Sequence, residues 1–185
     1  MARDGMTNLI LRLRVMVDDV AASIFTDNQL QTALDLRKQR IYKERLQYET
    51  TAIAAGSVEY KLYHSHFDNF EEGGTVYFQV CDSAGLQRGT ADYNVDYANG
   101  LVTMNDDQHG TALYLSGWSY DLNSAAAGCW GERMAKVVTS YDVSLDGHSL
   151  SRSQLMAQCK QMSDYYAQQA KPRRARMWNY GVFEQ

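Results

Sequence analysis

Apolar residues in the first part of the chain recur at helical spacing. Leu9, Leu13, Met16, Val17 and Val20 fall on one face of a helix over residues 6–22. A second helix is predicted from about Asp27 to Leu46. Thr26 is placed to cap it: the hydroxyl accepts from the Gln29 N–H, and the Gln29 side chain reaches back to the Thr26 N–H. Phe25 and Leu30 flank this box as a hydrophobic staple. The stretch "LSRSQL" repeats the device, with Ser151 as cap, Gln154 as reciprocal partner, and Leu150 and Leu155 as staple. Each such cap contributes about 1 kcal/mol. The helix it opens shows Leu155, Cys159, Met162 and Tyr166 on one face and should end before Pro172. A further helix is predicted over Asp121–Ser140, burying Leu122, Ala126, Cys129, Trp130, Val137 and the stem of Arg133.

Between these helices the period changes from helical to alternating. "VEYKLYHSH" places Val58, Tyr60, Leu62 and His64 on one face, and Glu59, Lys61 and Tyr63 on the other. "TVYFQVC" reads as a strand, "DYNVDYANGLVTM" as a hairpin turning at Asn99-Gly100, and "TALYLSGWSY" as a last strand. The expected fold is α+β. A helical core of about four helices carries a small antiparallel β subdomain between helices two and three, and a flexible C-terminal tail follows. The segments are 1–46 and 121–171 for the helical core, 47–120 for the β subdomain and 172–185 for the tail.

Composition adds constraints. Apolar residues make up 45% of the 185, enough for a core, and a charged fraction of 22% with net charge −4 argues against wholesale disorder. The charge is segregated: residues 51–120 hold nine acids against Lys61 and Arg88, whereas 171–185 hold Lys171, Arg173, Arg174 and Arg176 against Glu184. The cysteines Cys81, Cys129 and Cys159 are widely spaced and odd in number, which points to free thiols in a reducing compartment. Arg12 and Arg14 interrupt the first apolar run. It reads as an amphipathic helix rather than a signal peptide, and no membrane span is expected.

Candidate chemistry is sparse. His64 and His66 form an H-x-H, but the nearest further ligand is Asp68, and a metal site needs three or four convergent groups. Cys129 and Cys159 fall on expected buried faces, which disfavours a nucleophilic thiol. The adjacent pairs Asp106-Asp107 and Glu71-Glu72 read as solvated turns rather than opposed catalytic acids. Neither a phosphate loop nor a dinucleotide fingerprint is present, so no cofactor and no enzymatic activity are expected. The small residues Ala125, Ala126, Ala127 and Gly128 permit close backbone approach, within the fold or at a subunit contact. "KPRRARMWNYGVF" combines cations with Trp178, Tyr180 and Phe183. This composition suits a protein partner, a nucleic acid or a disordered segment.

"WSYDLNSAAAGCWGERM", "VSLDGHSLSRSQLMAQ" and "YYAQQAKPRRAR", together with "FTDNQLQTALDLRKQR", resemble the head–tail connector (adaptor, head completion) proteins of tailed bacteriophages. The most specific part is the Asp146-Gly147 turn followed by Ser151, Arg152, Ser153 and Gln154. The resemblance implies a structural virion protein at the neck, assembled in the host cytoplasm, without catalysis. It implies a dodecameric ring under the portal protein, prolonging the channel to a downstream neck or tail protein, with DNA passing through and no sequence-specific binding. Arg173, Arg174, Arg176, Trp178 and Tyr180 are then expected to dock on the portal or a neighbouring subunit. Ala125, Ala126, Ala127 and Gly128 are candidates for the subunit contact, and acids of the β region are candidates for a channel lining that repels DNA. The alternative reading is a tyrosine-rich β module binding a glycan or peptide on a helical stalk.

Overall fold

A computed structural model describes residues 2–53, 57–138, 143–145, 148–150 and 152–170, with backbone alone at 74, 75, 138, 143–145 and 148–150. A 3-10 turn, Asp4–Met6, leads into α1, Thr7–Met16. Leu9 and Leu13 are buried as expected, but α1 does not continue to residue 22. Asp18 and Ala22 adopt φ of 53° and 54°, a backbone that L residues do not sustain in a right-handed helix, and Val20 faces solvent.

The second helix, α2 (Asp27–Asp35), begins as its sequence dictates. Thr26 Oγ1 accepts from the Gln29 N–H at 3.3 Å, and the Thr26 N–H donates to Gln29 Oε1 at 2.8 Å. Phe25 and Leu30 are both buried. The helix then stops at Asp35 rather than Leu46, because Lys38–Arg45 is a strand, β1. Leu34 and Ile41 are both buried and stand seven residues apart, a spacing that suits either structure. Pairing of β1 with a distant strand overrides the helix propensity of its lysine, arginine and glutamate.

The remaining strands are β2 (Gln47–Ala52), β3 (Val58–His64), β4 (Phe78–Cys81), β5 (Tyr93–Asp96), β6 (Leu101–Met104) and β7 (Tyr114–Tyr120). They form two antiparallel sheets, ordered β1-β7-β4 and β2-β3-β6-β5. The expected strand "TVYFQVC" is half helical: α3, Gly74–Tyr77, is a single turn that precedes β4. The expected two-residue turn at Asn99-Gly100 is instead a four-residue loop, 97–100, because Asp96 pairs with Leu101. Gly100 has φ of +68°, and a Cβ there would lie 2.1 Å from the Phe67 carbonyl oxygen, so only glycine fits. On β3 the inward residue is Tyr63, fully buried, from the face opposite to Val58 and Leu62.

The chain closes with α4 (Leu122–Val138), a short hairpin of β8 (Val143–Leu145) and β9 (His148–Leu150), and α5 (Arg152–Gln169). The α4 face is the expected one, with Leu122, Ala126, Cys129 and Trp130 buried. On α5, Cys159 is buried, and Met162 and Tyr166 pack against the same core. Asn123 Nδ2 donates to the Gln169 carbonyl at 3.2 Å and Ser163 Oγ to the Ala127 carbonyl at 2.9 Å, so α4 and α5 run antiparallel.

A helical core with a small insert between its second and third helices is therefore not the observed architecture. Seven strands in two sheets occupy the chain from Lys38 to Tyr120, entering a region expected to be helical, and the long helices lie towards the C-terminal end. The β part has a core of its own, built from Ile41, Leu46, Tyr63, Phe70, Phe78, Val80, Val102, Met104, Leu113 and Leu115. A separate helical core holds Leu9, Leu13, Leu30, Leu34, Tyr120, Ala126 and Trp130. Tyr120 ends β7 inside this second core, so the last strand physically carries one core into the other.

Candidate functional site

Two ionic clusters, each with a buried carboxylate at its centre, hold the body together. Arg14, on α1, donates to Asp19 Oδ2 at 2.9 Å, to the Phe25 carbonyl at 3.0 Å and to Asp27 Oδ1 at 2.7 Å. Asp19 accepts the N–H groups of Ser23, Ile24 and Phe25 at 2.8, 2.9 and 2.9 Å. Burial alone would raise the Asp19 pKa. The backbone donors, with Arg14 beside them, outweigh it and hold the carboxyl below its ordinary value. The α1–α2 connection is thus wound around one ion pair. No hydrophobic pattern announces it.

The second cluster joins the two cores. Arg3 Nη1 and Nη2 grip the two oxygens of Asp35 at 3.0 and 2.8 Å, and Arg3 Nε donates to Glu71 Oε1 at 2.9 Å. The Tyr120 hydroxyl donates to the other oxygen of Glu71. Burial, reinforced by the Glu71 carboxylate, pushes the Tyr120 hydroxyl pKa far above its ordinary value. Glu71 is 1% exposed, so it is not the solvated turn residue the sequence suggested. Its partners lie 68 and 49 residues away, beyond the reach of local patterning.

The other candidate groups are dispersed. His64 Nε2 meets Glu49 at 2.9 Å, while His66 Nδ1 meets Glu44 at 2.9 Å, so the two imidazoles serve different carboxylates. Among the described residues no cluster of three histidine, cysteine, aspartate or glutamate side chains is arranged to hold a metal. Cys81, Cys129 and Cys159 are buried free thiols. Burial, then the nearby Glu132, pushes Cys129 up to about 12, which suppresses the thiolate a nucleophile requires. Asp107 accepts the N–H groups of Tyr60 and His109, and Asp82, Asp92 and Asp96 each accept backbone N–H groups in their own turns. Much of the acidity of residues 51–120 is therefore turn chemistry.

The small residues of α4 make their close approach inside the chain. Ala125 and Ala126 are buried in the helical core, Ala127 is half-buried against α5, and Gly128 alone of these four is exposed. Arg152 and Gln154 sit exposed in the first turn of α5. Asp146, Gly147, Ser151, Arg173, Arg174, Arg176, Trp178 and Tyr180 lie outside the described residues, as does the whole tail 172–185.

Surface features missed by the sequence reading lie on the sheets. β2 is an edge strand exposed at every position, without lysine, arginine or proline to guard it. β3 pairs with β6 only at Leu62, Tyr63 and His64, and Tyr60 is held by Asp107 and Gln108. Among the described residues the two strands pair beyond Tyr60 only with each other, and Ile53 and Val58 stand exposed there. An open groove of about 650 Å³ runs between α1 and the β5–β6 hairpin, with Leu11, Arg12, Val95 and Tyr97 in its walls.

The strand β1 carries the strongest charge. Residues 37–45 hold Arg37, Lys38, Arg40, Lys43 and Arg45 against Glu44 alone. Glu44 is turned to Ser65 and His66. Read as the polar side of a helix, these cations would have been scattered; the strand gathers them. No family model matches this chain, and no curated protein matches it.

Proposed function

We propose that the chain is a head–tail connector of tailed bacteriophages, a structural virion protein that forms a ring beneath the portal and prolongs the DNA channel towards the neck or tail. The observation that carries this reading is the exposed edge of β2 with Ile53 and Val58 beside it. A ring subunit needs one patch that fits a different patch on the next copy. An unguarded strand edge with Ile53 and Val58 exposed clear of its own sheet has that character. The motifs that resemble the connector family add support from sequence, and the Arg3–Glu71–Tyr120 joint supplies the rigidity that a load-transmitting subunit requires.

In this reading the basic-aromatic segment with Arg173, Arg174, Arg176, Trp178 and Tyr180 docks on the portal or an adjacent subunit. The test is made on particles. Virions assembled without this gene product should fail to join capsid to tail and should lose their genome. Filled, tailed particles formed in its absence would overturn the reading.

A further inference from the structure

We infer that the outer face of the β1-β7-β4 sheet binds the phosphate backbone of duplex DNA without reading its sequence. This does not rest on the connector reading. On β7, Leu115 and Gly117 face the β core, so Tyr114, Ser116 and Trp118 alternate onto the opposite face. The register places Arg40 opposite Trp118 and Arg45 opposite Tyr114 on that face. Lys43 sits at the irregularity between Ile41 and Glu44, with φ of 49°. Its N–H donates to Ser116 Oγ at 3.0 Å, and its Nζ extends towards Gly85. Arg37 immediately precedes the strand, its guanidinium over Gly128 of α4.

Three cations elsewhere in the chain are neutralised. Arg3 and Arg14 are locked to carboxylates, and Lys61 is bound to Glu59 at 2.6 Å. Arg37, Arg40, Lys43 and Arg45 have no carboxylate within ion-pair distance among the described residues. The acids nearby are committed elsewhere. Asp35 takes both terminal nitrogens of Arg3, leaving Lys38 at 3.8 Å, and Asp82 accepts the N–H groups of Ala84 and Leu86. A row of unneutralised cations along one strand is the electrostatic footprint of a polyanion site.

The aromatic groups decide which polyanion. The Lys38 and Arg40 cations lie over the Trp118 ring, 5.0 and 5.9 Å from its centroid. The ring is half-buried, packs against the helical core and carries these two cations, so it is not offered to a base, and it holds two long side chains in place before any ligand arrives. Single-strand sites need open aromatic platforms; this face offers fixed charge instead. From Lys38 to Arg45 the strand spans roughly 23 Å at about 3.3 Å per residue, enough to follow several successive phosphates of a duplex.

The test uses the full chain and a labelled mixed-sequence duplex, with affinity measured by fluorescence anisotropy across a salt series. The slope of log K against log salt flattens by about 0.9 for every phosphate that the protein ceases to neutralise. The triple variant Arg40→Gln/Lys43→Gln/Arg45→Gln should weaken binding at least tenfold and flatten the slope by about 2.7. Lys160→Gln on α5 should change the slope by no more than about 0.9, the value for a single phosphate. Circular dichroism confirms that each variant is folded. An unchanged slope in the triple variant would overturn the proposal and assign any DNA affinity to other parts of the chain. Tighter binding to the single-stranded form would overturn it in favour of base stacking. Equal affinity for polyglutamate, equally weakened in the variant, would overturn it in favour of an acidic protein partner.

Discussion

Two sets of cations in this protein have the same chemistry and opposite fates. Arg3 and Arg14 are surrounded: each grips two carboxylates and fixes elements that are distant in sequence or sharply turned. Arg40, Lys43 and Arg45 stand in a row on an exposed strand and meet no carboxylate among the described residues. Composition treats these groups alike. Partners separate them, and the partners are set by topology. The first set builds the body, and the second is left over for something outside it.

Breaking the buried set should have the largest effect. Asp19→Ala removes the buried one of the two carboxylates that pair with a 5% exposed arginine, and orphans the N–H groups of Ser23, Ile24 and Phe25. A loss of about 3–5 kcal/mol is expected, measured as a fall in the chemical denaturation midpoint. The same carboxylate gives a pH signature. Its folded pKa is depressed, so its contribution is fully present above the ordinary carboxylate value of about 3.9 and is lost as pH falls through the folded value. Asp35 behaves alike: burial opposes its ionisation, and Arg3 more than offsets it. Stability measured below pH 4 should therefore fall, and Asp19→Asn should flatten that part of the curve.

Loosening the joint between the cores should have a smaller effect. Tyr120→Phe leaves one oxygen of buried Glu71 without its hydroxyl donor and should cost about 1–3 kcal/mol. Because Tyr120 belongs to the helical core while Glu71 borders the β core, hydrogen exchange should report the loss in both regions.

What the sequence made legible was local. The Thr26–Gln29 box, the staple of Phe25 and Leu30, and the buried stripe of Leu122, Ala126, Cys129 and Trp130 all follow from spacings of a few residues. The strand β1 was not legible. "KQRIYKER" has a single buried apolar position, Ile41, and its partner strand begins only at Tyr114, so its helix formers spoke louder than its pairing. The basic face was hidden by the same error. Glu71 looked solvated because adjacent acids usually are. Its loop position gave no hint of Arg3 and Tyr120, and only the folded chain brings those groups together.

Chemical denaturation of Asp19→Ala beside Arg40→Gln/Lys43→Gln/Arg45→Gln tests most directly whether the two sets of cations do different work. The account predicts a large fall in midpoint for the first. For the second it predicts a curve within about 0.5 kcal/mol per substitution of the unaltered protein, as for surface positions without a carboxylate partner. A triple variant as destabilised as Asp19→Ala would contradict it, because the strand's cations would then be holding the fold together.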